Sequence, residues 1–193
     1  MKIMTLAFSI LFLSCKNKEV KDIDVIHEIP VVNDQFQAFL HQFSEIKLPI
    51  KIIGCKVDFE ELQLLNPEIS NPYEVNPCYV YGKIKTNGNY MATITLGAAD
   101  CFLPILTTYK LNGEKINSQT LSTGICDEGP CYVCEETMEV NANFNISITN
   151  NITYSECDDN YEPISGTEKK ETLVINGKLT TDGFIQLNTE SNK

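Results

Sequence analysis

Residues 138–149 read M-E-V-N-A-N-F-N-I-S-I-T, and this stretch decides the fold class. Apolar and polar side chains alternate along its whole length. Because successive side chains of a strand point to opposite faces, the alternation predicts one long strand with a dry face and a wet face. That pattern is typical of an antiparallel sheet with water on one side. The Asn-Asn pair at residues 150–151 then predicts a turn, with residues 152–156 returning as the partner strand.

Hairpin patterns also occur on both sides of this stretch, each with Asn-Gly or Asp-Gly between two strand-like runs. The paired runs are residues 79–85 with 90–96, 102–111 with 114–118, and 172–179 with 184–187. Glycine and asparagine accept positive φ, so these dipeptides are strong hairpin signals. The sequence therefore predicts a mainly β fold, either an antiparallel β-sandwich or a partly open barrel, with roughly seven to nine strands.

Two of these turns share a sequence: G-K-I-K-T-N-G at residues 82–88 and G-K-L-T-T-D-G at residues 177–183. Two separate hairpins that require the same turn residues explain the match, and a duplicated half-domain is the alternative. If both hairpins belong to one sheet, the first and last strands lie near each other.

A short amphipathic helix is predicted over residues 33–46, before the strands. Its apolar side chains recur with the helical period, Asn33 or Asp34 can cap it, and Pro49 follows its end. We expect this stripe to pack on the sheet; a membrane-surface helix is the alternative, which the scarcity of lysines disfavours. The stripe consists of Phe36, Phe39, Leu40, Phe43 and Ile46.

Between this helix and the first hairpin, residues 48–53 predict a short strand. Residues 58–65 predict a short helix that opens with a capping-box pattern. Three Asn-Pro steps make residues 66–77 irregular, and we expect this region to be held by Cys55 and Cys78.

The N-terminal residues 1–15, M-K-I-M-T-L-A-F-S-I-L-F-L-S-C, combine Lys2 with an apolar run and a cysteine. The run is too short to span a bilayer and has the length of a signal-peptide core. Leu13, Ser14 and Cys15 resemble the lipobox of bacterial lipoproteins, although Phe12 stands where that family usually has leucine. The resemblance implies that Cys15 becomes the lipidated first residue of the mature protein. An ordinary secretory signal and an anchoring helix are the alternatives.

The resemblance divides the chain into a signal peptide (residues 1–14), a lipidated tether (15–33) and a single mainly-β domain (34–193). Lys16 follows the cysteine, which by analogy with enteric lipoproteins favours the outer membrane of a Gram-negative bacterium. The whole chain resembles the small lipoproteins of such bacteria.

The formal net charge is −11 at pH 7, every basic residue is lysine, and there is no tryptophan. A protein with this negative charge repels the phosphate backbone of nucleic acids. The expected partners are the membrane, through the lipid on Cys15, and a protein or a glycan, but no nucleic acid.

Seven cysteines follow Cys15, and export predicts that they form disulfides, with three bridges and one thiol left over. Proximity suggests a Cys55–Cys78 bridge and a 126–134 loop that closes on itself or onto Cys157. A zinc site of four thiolates and a redox C-x-x-C pair are the alternatives. The disulfide candidates are Cys55, Cys78, Cys101, Cys126, Cys131, Cys134 and Cys157.

No catalytic constellation, metal site or cofactor motif is predicted. The only histidines are His27 and His41, and the sequence lacks HExxH and a glycine-rich phosphate loop. The acidic run at residues 158–162 could ligate calcium, but a solvated turn is preferred. Seven tyrosines could form a stacking surface for sugars: Tyr79, Tyr81, Tyr90, Tyr109, Tyr132, Tyr154 and Tyr161.

Three functions therefore remain open. The first is a non-enzymatic module that binds a ligand or a partner. The second is an envelope-associated inhibitor of a basic exported enzyme, which the acidic surface would suit. The third is an enzyme that uses carboxylates such as Asp100, Glu135 or Glu136.

Overall fold

A computed structural model describes residues 33–73, 78–124, 126 and 129–189. Cys15, His27 and the rest of the predicted signal peptide and tether up to residue 32 lie outside these ranges. The elements are α1 (Asp34–His41), β1 (Glu45–Ile46), β2 (Ile50–Ile53), β3 (Gln63–Leu64), α2 (Pro67–Ser70), β4 (Tyr79–Ile84), β5 (Tyr90–Gly97), β6 (Leu103–Lys110), β7 (Lys115–Thr120), β8 (Tyr132–Val140), β9 (Asn145–Tyr154), β10 (Lys169–Leu179) and β11 (Ile185–Thr189).

The strands form two sheets that pack face to face, so the predicted β-sandwich is confirmed. Sheet A has the order β1-β4-β5-β6-β7, with β3 also paired to β4, and sheet B has the order β11-β10-β9-β8-β2. Every pair is antiparallel except the two-residue β1–β4 pair. The described residues hold eleven strands, more than predicted, because β1 and β3 are too short to leave a periodic pattern.

The main core lies between the two sheets and consists of alternate strand residues. Burial of one such aliphatic side chain contributes about 1.5–3 kcal/mol to the hydrophobic term. The buried members of the main core include Ile84, Ala92, Ile94, Leu96 and Leu106 from sheet A, and Met138, Val140, Ile146, Ile148, Leu179 and Ile185 from sheet B.

A second, aromatic cluster lies on the outer face of sheet A, where α1 packs as predicted. The side chain of Asn33 caps the helix by accepting a 3.0 Å hydrogen bond from the Gln35 N–H. Phe39 lies 4.8 Å from Tyr73 and 5.6 Å from Tyr109, measured between ring centroids. The apolar stripe is therefore buried against protein and not presented to a membrane. The helix ends at His41, earlier than predicted, because the chain turns after Gln42 and Glu45–Ile46 pair with β4 as β1. Ile46, the last residue of the predicted stripe, therefore lies on a strand.

The prediction of one strand over residues 138–149 is wrong, because a turn interrupts it. β8 ends at Val140, β9 begins at Asn145, and Val140 faces Ile146 across the hairpin. The side-chain oxygen of Asn141 accepts hydrogen bonds from the N–H groups of Asn143 and Asn145. The turn has an even number of residues, so the buried positions stay in phase across it and the alternation conceals it.

The turn predicted at residues 150–151 is consequently wrong as well, since both residues lie inside β9. Asn150 is fully buried there, and its amide nitrogen donates a 3.0 Å hydrogen bond to the Thr123 hydroxyl. Two smaller predictions also change. The helix expected over residues 58–65 is a 3-10 turn, Phe59–Glu61, followed by β3. The irregular stretch that follows contains α2, capped by the side chain of Asn66.

Three disulfides are present: Cys55–Cys101, Cys126–Cys134 and Cys131–Cys157. The last two confirm that the 126–134 loop closes on itself and is tied to Cys157. The zinc site and the C-x-x-C redox pair are wrong, because all four cysteines are disulfide-bonded and Cys131 and Cys134 have different partners.

The predicted Cys55–Cys78 bridge is also wrong. Gly54 lies so close to Phe102 that a β-carbon on Gly54 would overlap the Phe102 carbonyl oxygen, and this approach places Cys55 beside Cys101. Cys78 is a buried thiol that packs in the aromatic cluster on the outer face of sheet A. Among the described residues, no helix has the length and apolar character needed to cross a bilayer.

Candidate ligand-binding cleft

Three hairpin turns meet at one end of the sandwich and enclose a cleft of about 630 Å³, which we call the turn cleft. The turns are residues 85–89 between β4 and β5, 111–114 between β6 and β7, and 180–184 between β10 and β11. Two turns belong to sheet A and one to sheet B, so the cleft lies where the sheets meet. It is lined by Asn87, Gly88, Asn89, Tyr90, Lys110, Glu114, Lys115, Ile116, Thr181, Asp182 and Phe184.

Buried hydrogen bonds fix the sheet B turn against sheet A. The Thr108 hydroxyl donates a 2.7 Å hydrogen bond to the Gly183 carbonyl oxygen. The Tyr90 hydroxyl donates a 2.9 Å hydrogen bond to the Thr180 carbonyl oxygen. Gly183 has φ +89°, a backbone conformation that favours glycine. The walls of the cleft are therefore held in place without a ligand, which lowers the entropy cost of binding.

The two turns that share a sequence lie in different sheets but touch each other. A β-carbon on Gly88 would lie 2.8 Å from the Thr181 carbonyl oxygen. In each turn a threonine hydroxyl donates to a carbonyl four residues on, Thr86 to Tyr90 and Thr180 to Phe184. The two hairpins therefore do not belong to one sheet. The bond that both turns share supports the interpretation that two independent hairpins use the same turn sequence.

The turn cleft combines one exposed aromatic ring with several short polar side chains. Phe184 is 48% exposed. Asn87, Asn89 and Asp182 line the same cleft and offer amide and carboxylate groups. Lys110 forms a 2.7 Å ion pair with Glu114. Such a site suits a ligand with an apolar face and many hydroxyl groups.

The electrostatic environment of Tyr90 at the base of the turn cleft favours its neutral form. Burial raises the pKa of the Tyr90 hydroxyl, and the negative charge of Asp182 raises it further. The hydroxyl therefore stays protonated and keeps its donor role toward Thr180 at neutral pH.

The three carboxylates proposed for an enzyme are not arranged as one unit. Glu135 lies on the exposed face of β8, where a hydrogen bond from Lys56 and its positive charge lower the pKa of the carboxyl group. Glu136 points to the inner face, where its carboxylate accepts hydrogen bonds from the N–H and hydroxyl of Thr123. Neighbouring side chains of a strand point to opposite faces, so the carboxylates of Glu135 and Glu136 do not face the same site. Asp100 lines a second cleft, of about 560 Å³, near the disulfides.

The acidic turn at residues 158–162 uses its first carboxylate internally. The Asp158 oxygen accepts hydrogen bonds from the N–H groups of Glu162 and Asn160, and these bonds lower the pKa of the carboxyl group. Within the described residues, no three or more His, Cys, Asp or Glu side chains are grouped as metal ligands.

The stacking surface considered for seven tyrosines does not form, and six of them lie in strands, in agreement with the β preference of tyrosine. Tyr90 and Tyr109 are buried, while Tyr79 and Tyr81 pack against the main core. The exposed ring of the turn cleft is instead Phe184, which the sequence analysis assigned only to a strand. The feature of the sequence that could have indicated this exposed ring is its position directly after the Asp-Gly turn. His41 is exposed at the end of α1.

Comparisons of the chain with protein-family models, curated proteins and solved structures gave no match.

Proposed function

We propose that this chain is an exported lipoprotein, anchored through a lipid on Cys15, whose β-sandwich is a non-enzymatic binding module. The lipobox-like N-terminus supports the anchor. Three disulfides support export, since disulfides persist in oxidising compartments. By the enteric analogy, Lys16 favours the outer membrane of a Gram-negative bacterium.

The ligand proposed for the turn cleft is a saccharide. The single observation that carries this assignment is the exposed Phe184 ring beside the polar side chains of the other turn residues. The C–H face of a sugar ring packs on an aromatic face, and its hydroxyls exchange hydrogen bonds with amide and carboxylate groups. Asn87, Asn89 and Asp182 supply such groups.

An anionic ligand fits the turn cleft less well than a neutral saccharide. The chain has no arginine, the residue that clamps phosphate and carboxylate in two-point contacts. Lys110 is already paired with Glu114, and the Asp182 carboxylate brings a negative charge into the cleft. The net charge of −11 repels anions further.

The anchor is tested by expressing the full chain in a Gram-negative host with an alkyne-labelled fatty acid. The wild type should take up the label and partition with membranes, and a Cys15→Ser variant should do neither. A Cys78→Ser variant is the matched control, because Cys78 is buried in the folded domain. Equal labelling of wild type and Cys15→Ser would refute the anchor.

The ligand class is tested by NMR on the mature domain carrying Cys15→Ser. The probes are soluble tetrasaccharides of glucose (α- and β-linked), xylose and N-acetylglucosamine. At least one should shift the backbone amides of the three cleft turns and leave the amides of β8 and β9 unchanged. Shifts confined to other surfaces, or none at millimolar saccharide, would refute the assignment.

A further inference from the structure

The most exposed large apolar side chain among the described residues is Tyr161, in the connection between β9 and β10. Its ring is 72% exposed, and its backbone has φ 63°. A bulky residue adopts this left-handed conformation only when the surrounding structure imposes it. Phe144 has nearly the same φ, 61°, in the β8–β9 turn, where Asn141 accepts the same two hydrogen bonds that Asp158 accepts here, so the geometry of the turn imposes the conformation of Tyr161.

The segment around Tyr161, residues 155–168, is held as a rigid loop, which we call the stapled loop. The Cys131–Cys157 disulfide ties it to β8, and Cys157 pairs with Pro163 across its base. Inside it, the Asp158 carboxylate accepts two backbone hydrogen bonds, and the Tyr161 N–H donates to the Asp158 carbonyl oxygen. The ring is therefore displayed in one fixed position.

Other exposed apolar side chains lie around the stapled loop. Ile164 belongs to it, and Tyr154 ends the strand that leads into it. Together with Tyr161, these are three of the six large apolar side chains that are exposed in the described part of the chain. Exposed apolar groups concentrated in this way are typical of an interaction surface.

The charge of the stapled loop is strongly one-sided. Residues 155–168 contain five acidic side chains and no lysine, and Lys169 and Lys170 follow at the start of β10, where Lys169 lies opposite Tyr154. The acidic residues are Glu156, Asp158, Asp159, Glu162 and Glu168. An apolar centre with a mainly acidic rim fits a surface that has an apolar pocket and a mainly basic rim.

We propose that the stapled loop docks onto a basic exported protein and inserts the Tyr161 ring into an apolar pocket of that partner. Tyrosine is enriched among residues that dominate binding energy, because it buries a large ring and loses little rotamer entropy. The rigid loop is already in its bound form, so little ordering entropy is lost on docking. The acidic rim steers the partner by long-range attraction.

The negative charge of the stapled loop also favours one kind of partner over the others. A second copy of this chain would bring the same acidic rim against itself, and an anionic membrane surface would repel it. A basic protein is attracted by the same groups. This proposal uses a different surface from the turn cleft and does not depend on saccharide binding.

The test measures binding of the mature Cys15→Ser domain to two purified basic exported proteins, a lysozyme and a basic ribonuclease, on a biosensor. An acidic protein of similar size is the reference. Tyr161→Asn removes the ring and keeps a residue that tolerates positive φ. Intact mass under non-reducing conditions verifies that its three disulfides have formed.

At least one basic probe should bind more tightly than the reference, and Tyr161→Asn should weaken it about tenfold. Asp159→Asn should slow association at low salt and have little effect at high salt. Phe184→Ala, in the turn cleft, is the control that should leave this binding unchanged. Equal responses of both basic probes and the acidic reference would overturn the proposal, as would full binding by Tyr161→Asn.

Discussion

The hydroxyl of Thr108 on β6 lies 2.7 Å from the carbonyl oxygen of Gly183, in the turn between β10 and β11. This buried hydrogen bond joins the two sheets at the end of the sandwich where the turn cleft opens. It positions the turn that carries Asp182 and Phe184 against the two turns of sheet A. The shape of the cleft therefore depends on a bond between residues that are distant in sequence.

Replacing Thr108 with valine should lower the free energy of unfolding by about 1–3 kcal/mol, because the buried Gly183 carbonyl loses a donor. The measurement is urea unfolding followed by circular dichroism. Thr172→Val is the matched control, since the Thr172 hydroxyl bonds Asn151 at an exposed position. If both variants lowered the free energy of unfolding equally, the Thr108–Gly183 bond would contribute no more to stability than an exposed hydrogen bond.

Tyr90 should make stability depend on alkaline pH. Its folded-state pKa is raised above the ordinary tyrosine value of 10.0, so between pH 10 and that raised pKa the unfolded chain loses a proton that the folded chain keeps. The contribution of Tyr90 is thus fully present below pH 10 and declines as the pH rises through the folded-state pKa. Tyr90→Phe should flatten the decline above pH 10 in unfolding measured against pH. An unchanged slope in Tyr90→Phe would contradict this account.

The β8–β9 hairpin should be sensitive to Asn141. Its side chain accepts hydrogen bonds from two N–H groups of the turn, so Asn141→Ala should lower the free energy of unfolding by about 1 kcal/mol. Asn143→Ala, an exposed asparagine of the same turn, should change stability by less than about 0.5 kcal/mol. The hairpin account fails if the two variants cost the same amount.

The three disulfides should contribute unequally. In the chain-entropy model, the Cys55–Cys101 bridge, with a sequence separation of 46, contributes about 4 kcal/mol. The Cys126–Cys134 bridge, with a separation of 8, contributes about 2.5 kcal/mol. Paired Cys→Ser variants, compared by urea unfolding, should follow this order. The reverse order would show that strain or residual structure outweighs loop entropy.

The fold class could be predicted from the sequence because local patterns of apolar and turn residues determine it. Apolar alternation and Asn-Gly or Asp-Gly turns gave the β4–β5, β6–β7 and β10–β11 hairpins to within a few residues. The helical stripe identified α1 and its buried face. The β8–β9 turn was missed because it is even in length and because Phe144 takes φ 61° without a glycine.

Contacts between distant residues could not be predicted in this way. The Cys55–Cys101 bridge depends on how closely Gly54 approaches Phe102, which no local pattern reveals. The turn cleft depends on which turns meet in space. The sequence showed that two turns are alike, but not that they belong to different sheets and touch at Gly88 and Thr181.

If the exposed Phe184 ring in the turn cleft binds a saccharide, calorimetry on matched variants should detect the loss of that ring. Leu64 is as exposed as Phe184, at 49% against 48%, but lies on β3, so Leu64→Ala is the control. For the saccharide that shifts the cleft amides, we predict that Phe184→Ala raises Kd about tenfold, or about 1.4 kcal/mol, and that Leu64→Ala leaves it unchanged. An unchanged Kd in Phe184→Ala, or equal changes in both variants, would contradict the account.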